Sequence, residues 1–99
     1  MNPFTGHEAA TTITPTIVRY HSTNVAILWT DINTVQLNHG GHITTTTKRR
    51  MNQALQWFGF PAKVTQKDFD WYITTPKGTF PYQNGAHITR DGDVTNKGL

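Results

Sequence analysis

One stretch of this chain, residues 47–58 (TKRRMNQALQWF), carries a helical period, and it stands alone among segments that alternate. Met51, Ala54, Leu55 and Phe58 recur at i, i+3, i+4 and i+7, which places four apolar side chains on one helical face. Lys48, Arg49, Asn52, Gln53 and Gln56 lie largely off that stripe, and Trp57 sits at its margin. Thr46 or Thr47 supplies a hydroxyl to cap the first free N–H groups. Gly59 suits the left-handed residue that ends a helix, and Pro61 blocks continuation. One helix of this length must lay its stripe on something else, and the alternating segments offer a sheet.

Residues 17–20 and 24–30 read as the first two strands. In the second (NVAILWT), Val25, Ile27 and Trp29 share one parity and Ala26 and Leu28 the other, so both faces are expected to be covered. A tight turn at Asp31-Ile32-Asn33 leads into residues 34–38, with Val35 and Leu37 inward. His39-Gly40-Gly41 supplies another turn, and residues 42–46 are expected to form the next strand. After the helix, strands are expected over 62–66, 69–75, 79–82 and 86–90. Turns separate them at Lys67-Asp68, Pro76-Lys77-Gly78 and Asn84-Gly85. Phe69, Trp71 and Ile73 alternate onto one core-facing side, and Pro81 demands an edge position.

The two halves echo each other. LNHGGHIT at 37–44 aligns without gaps to YQNGAHIT at 82–89, an offset of 45. That pattern fits two similar β-meanders joined by the helix, and it equally fits two hairpins that converged. The fold expected is therefore α+β: a mostly antiparallel curved sheet or small barrel of short strands around one central amphipathic helix. A flexible arm over 1–15, a single domain over 16–90 and a polar tail over 91–99 complete the organisation.

Composition narrows the chemistry. Ninety-nine residues make one domain, and a chain this size hides only about 60–65% of its unfolded surface. A thin core and plentiful aromatics favour a homodimer. There is no cysteine, which excludes disulfides, thiolate catalysis and cysteine-ligated zinc. No apolar run approaches the ~20 residues that cross a bilayer, so no membrane partner is expected. The start MNPFTGHEAATTITPTIV lacks a basic region followed by an apolar stretch, so no signal peptide is expected. Eighteen threonines suit strands, and a net charge of +3 allows weak attraction to anions without the dense basic face of a nucleic-acid module.

The candidate ligand site is the start of the helix. Its free N–H groups and positive dipole end receive anions, yet Lys48, Arg49 and Arg50 follow immediately, against the dipole. A bound phosphate would resolve that conflict. Thr46 and Thr47 would orient it, the three cations would neutralise it, and Asn52 would read it. The plain alternative makes the threonines strand and cap residues and leaves the cations solvated or paired with Asp68 or Asp70. No Gly-rich loop ending in Gly-Lys-Thr/Ser is present.

Other candidates are weaker. His21, His39, His42 and His87 include two residues, His42 and His87, at equivalent places in the proposed repeat, but no HExxH pattern or carboxylate cluster supports a metal or an acid–base site. His7 is a lesser member of that set. Asp68 with Asp70 and Asp91 with Asp93 lie beside turns, where solvation is the default. Ser22 beside His21 makes no triad, because neighbours on a strand point apart. Most aromatic residues are needed for the core; Tyr20, Trp57, Tyr72 and Tyr82 are the candidates for an interface. No catalytic residue, metal or cofactor is expected.

The runs YHSTNVAILWTDINTVQLNHGG, TTTTKRRMNQ and KDFDWYI resemble a small uncharacterised protein family of tailed bacteriophages and related mobile elements. The resemblance covers about residues 20–90. It rests on Tyr20, His21, Thr23, Leu37, Asn38, Gly40, Gly41, Thr46, Thr47, Arg50, Met51, Asn52 and Trp71; His42 stands where an aromatic residue is expected. It implies viral origin and action in the host cytoplasm, and it carries no named activity. The reading is a non-enzymatic phage accessory protein that binds a host protein or a phosphate-containing ligand. A nucleic-acid-binding protein, a small enzyme using His42 or His87 and a minor virion component are the alternatives.

Overall fold

The computed structural model describes residues 10–95. Residues 1–9 and 96–99, which include His7 and the outer parts of the expected arm and tail, lie outside the described residues.

The elements run β1 (Thr11–Ile13), β2 (Ile17–Tyr20), β3 (Thr23–Trp29), β4 (Thr34–Leu37), α1 (Thr45–Phe58), β5 (Lys63–Lys67), β6 (Asp70–Thr75), β7 (Gly78–Pro81), β8 (Ala86–Thr89) and β9 (Val94–Thr95). They make two antiparallel sheets, ordered β1-β2-β3-β4-β8-β9 and β5-β6-β7. The fold is thus α+β with one central helix and two meanders, and the described strands close no barrel. Two short strands, β1 and β9, fall within the segments read as arm and tail. Pro15 sits in the connection between β1 and β2.

The helix buries Met51, Ala54, Leu55 and Phe58, the stripe read from the sequence, and extends it to Thr47 and Arg50. Full burial of large apolar side chains such as Met51 and Leu55 contributes about 1.5–3 kcal/mol each. The stripe meets the inner face of the larger sheet, where Val18, Ala26, Leu37, Val35, Ala86 and Ile88 are paired across strands and buried. Val25 breaks the expected parity. The β2–β3 register passes from Ala26 to Asn24 and skips Val25, a bulge that turns Val25 into the core with Ala26.

The helix begins two residues earlier than the sequence periodicity suggests. Thr44, not Thr46 or Thr47, is the N-cap: its hydroxyl accepts from Thr47 N at 3.2 Å. Residues 42–44 are irregular, so the strand expected over 42–46 is absent. A helix that starts there gains a cap and a buried Thr47 one turn before Met51, which outweighs the strand preference of threonine. The C-terminus is as expected. Gly59 adopts φ 77°, its N–H bonds Gln56 O, and Phe60 N bonds Leu55 O. Arg90 also reaches back to this end, donating from Nη1 to Phe58 O at 3.1 Å and Gly59 O at 3.2 Å.

In the second meander, Trp71 and Ile73 are buried as expected, but Phe69 is 94% exposed. Lys67 pairs with Asp70, so Asp68 and Phe69 form a two-residue hairpin turn with Asp68 at φ 57°. Alternation stops at the turn, and Phe69 leaves the core side. Pro81 lies on β7, the outermost strand of its sheet, as its missing N–H requires.

The two similar octapeptides take different structures. Residues 42–44 approach the helix, whereas His87, Ile88 and Thr89 are strand β8, which crosses to pair with β4. The two segments instead meet. Tyr82 Oη donates to Leu37 O at 3.3 Å, His39 N to Asn84 Oδ1 at 2.8 Å, and Gly85 N to Leu37 O at 2.8 Å.

Candidate functional site

The cations at the helix start do not converge. Lys48 turns to the second sheet, where Nζ donates to Gln66 Oε1 at 2.8 Å and lies 6.0 Å from the Trp71 ring centre. Arg50 turns to the first sheet and is buried. Its Nε donates to Thr11 Oγ1 and its Nη1 to Gln53 Oε1, both at 3.0 Å, and its guanidinium lies 5.8 Å from the Tyr20 ring. Arg49 is exposed.

The remaining members of that set are also engaged internally, Thr46 apart. Thr47 is fully buried, with Oγ1 3.1 Å from Thr44 Oγ1. Asn52 exchanges two hydrogen bonds with the backbone of Val64: Nδ2 to O at 2.9 Å and N to Oδ1 at 2.7 Å. Thr46 is half-buried. Because the helix starts at Thr45, its first turn is threonine, and the cations begin in the next one. The dipole's effect has faded there, so the conflict that marked the site on sequence grounds is weaker than it looked.

The candidate interface aromatics are separated too. Tyr20 packs beside Arg50 and His21. Trp57 is part-exposed, with Nε1 3.4 Å from Thr14 O. Tyr72 faces the outer side of the second sheet, in a shallow depression with Thr65, Lys67, Thr74 and Thr79. Tyr82 lines a different cavity.

That cavity was not foreseen as a unit. It is a cleft of about 350 Å³ between the β5–β6 hairpin tip, the segment before α1 and the β7–β8 loop. Phe69, Trp71 and Asp70 form one side, Tyr82 and Asn84 another, and His39 and Ile43 close the third. Ile43 is 62% exposed. The walls are held in place. The Trp71 and Tyr82 rings are 5.7 Å apart and tilted by 44°, and the His39 ring lies 6.0 Å from Tyr82. His39 Nδ1 accepts from Gly41 N at 2.9 Å, which leaves Nε2 to carry the ring proton in the neutral form. Burial of the Tyr82 hydroxyl raises its pKa well above the usual phenol value. The aromatics Tyr82 and Trp71 were individually visible in the sequence. The missing signal was that the pseudo-repeat brings its two copies into contact.

The four described histidines form no metal-binding group with one another. His21 and His42 face each other with ring centres 6.3 Å apart, His39 is engaged with Gly41, and His87 is buried on β8 between Gln36 and Thr95, with Nδ1 lacking a partner. Among the described residues, no group of three or more His, Cys, Asp or Glu side chains could hold a metal ion. No helix among them is long and apolar enough to cross a membrane.

The model of the Kyanoviridae Gp96 protein family matches residues 4–89, most of the chain. The chain belongs to this bacteriophage family. It therefore bears out the resemblance to small phage proteins, and the matched span contains the helix, the second meander and the whole cleft. No match is found among the curated proteins or among the solved structures. What this Kyanoviridae Gp96 family member presents is a cleft lined by aromatic and apolar side chains, with Phe69 and Ile43 exposed beside it.

Proposed function

We propose that this protein is a non-enzymatic phage accessory protein that acts in the host cytoplasm by binding a host protein through the cleft beneath Phe69. The observation that carries the reading is Phe69 itself, 94% exposed at a hairpin tip beside the 62%-exposed Ile43. Exposing a whole phenylalanine costs solubility, and such residues around a concave, aromatic-lined site are the anchors of protein interfaces. The phosphate reading has less support. Of the six residues assigned to it, Arg50 and Thr47 are buried and Asn52 is bonded to Val64.

The test is capture from infected cells with the tagged native chain, Phe69→Ser and Arg49→Ala. A host protein retained by the native chain and by Arg49→Ala, and reduced about tenfold or more by Phe69→Ser, supports the reading. Retention that depends on Arg49 and not on Phe69 returns the site to the helix start. Self-association through the same cleft is the competing occupant, and sedimentation of the purified chain separates it.

A further inference from the structure

We infer that the cleft takes a cationic side chain, arginine or lysine, presented by the partner. This rests on the reading of the cleft as a docking site and adds the chemistry of what enters it.

The walls are largely aromatic. Phe69, Trp71, Tyr82 and His39 line the cleft, and the faces of aromatic rings attract cations. The chain already uses one of them in this way: the Lys48 ammonium lies 6.0 Å from the Trp71 ring centre, tethered by Gln66.

The charge on the rim has the matching sign. Asp70 is the charged residue that lines the cleft; Asp68 lies two residues before it on the same hairpin tip, and Lys67 stands opposite Asp70 in the register; all three are exposed. Neither carboxylate takes part in an ion pair among the described residues, where Lys77 and Asp93 are joined at 2.8 Å. Three other polar atoms of the walls are engaged internally. Tyr82 Oη donates to Leu37 O, Asn84 Oδ1 accepts from His39 N, and His39 Nδ1 accepts from Gly41 N. A carboxylate that forms no ion pair among the described residues therefore stands at the mouth of an aromatic-lined cleft. An anionic or purely aliphatic group would leave it uncompensated; a guanidinium or ammonium would pair with it and stack on the rings. At about 350 Å³ the cleft is at the small end of ligand sites, a volume for one long side chain.

The experiment uses the full chain and four probes: the N-acetyl amides of arginine, lysine, norleucine and glutamate. Binding is followed by the NMR shifts of the Trp71 indole N–H and the Asn84 side-chain amide. The arginine and lysine probes are expected to shift both signals at millimolar concentration, with norleucine weaker and glutamate without effect. Asp70→Asn should weaken the arginine probe about 3–5-fold, as expected for an exposed ion pair, and higher salt should weaken it further. Phe69→Ala should weaken arginine and lysine alike. Both residues are exposed, so unchanged thermal midpoints verify that these variants fold.

Norleucine binding as tightly as arginine, or Asp70→Asn leaving arginine binding unchanged, overturns the cation inference while the docking reading stands on its capture experiment. Absence of any probe-induced shift at the cleft also overturns it.

Discussion

Asn52 on α1 and Val64 on β5 exchange two hydrogen bonds, Nδ2 to O at 2.9 Å and N to Oδ1 at 2.7 Å, so the side-chain amide pairs with β5 as a neighbouring strand would. This closes the outer edge of the second sheet against the helix. It ties the two halves of the fold together, and it fixes the hairpin whose tip carries Phe69. Replacing Asn52 with Ala should lower stability by about 2–3 kcal/mol, because both backbone groups of Val64 lose their partner. A urea midpoint shift with unchanged slope would record it. A residue that merely reads a ligand would give no such loss.

Arg50 and Arg49 are neighbours with opposite fates. Arg50 is buried against Tyr20 and donates to Thr11 and Gln53, while Arg49 faces solvent. Arg50→Ala should cost about 2–3 kcal/mol through lost packing and stranded acceptors. Arg49→Ala should stay within about 0.5 kcal/mol. Thermal melts of the two variants side by side provide the comparison.

The cap position yields a sharper contrast. Thr44→Ala removes the hydroxyl that accepts from Thr47 N and should cost about 1 kcal/mol. Thr46→Ala, inside the helix and half-buried, should be close to neutral. A loss at Thr46 with none at Thr44 would place the helix start where the sequence periodicity alone puts it.

Gly40 adopts φ 59°, and a Cβ there would overlap Thr23 Oγ1. Gly40→Ala therefore meets both backbone strain and a steric clash, and should destabilise by about 2–3 kcal/mol. Because this loop carries His39, the shift of the His39 ring signals is a second readout of the same displacement.

Tyr82 adds a pH dependence. Burial raises its pKa above the free value of 10.0, so the native state holds the phenol proton more tightly than the unfolded chain does. That stabilising increment is complete below pH 10 and is lost progressively as pH climbs beyond it. Stability should fall above pH 10, and the fall should be shallower for Tyr82→Phe, read from urea midpoints across the alkaline range.

Much of the fold was legible because it follows local rules. The stripe from Met51 to Phe58, the Gly59 stop, the inward Val35 and Leu37 and the edge Pro81 all appear where periodicity and turn chemistry put them. The failures share a form: a bulge, a turn or a cap interrupted the alternating pattern. The bulge at Val25 reversed a parity, the hairpin turn took Phe69 out of a run that alternates cleanly, and Thr44 capped a helix inside a threonine-rich stretch that suited a strand. The cleft was illegible for a different reason. Its residues come from three separate segments, and nothing local announces that Tyr82 and Asn84 will meet Leu37 and His39. Conversely, the run Lys48-Arg49-Arg50 looked like one basic patch because it is contiguous in sequence. On a helix those three side chains diverge by about 100° each, and two of them have partners inside the protein.

The central claim is that recognition passes through the cleft and not through the helix start. The most direct measurement places a photo-activated cross-linking amino acid at position 69 or at position 49 of the full chain in infected cells. The account predicts a covalent adduct with a host protein from position 69, absent from position 49. An adduct formed from position 49 alone would contradict it.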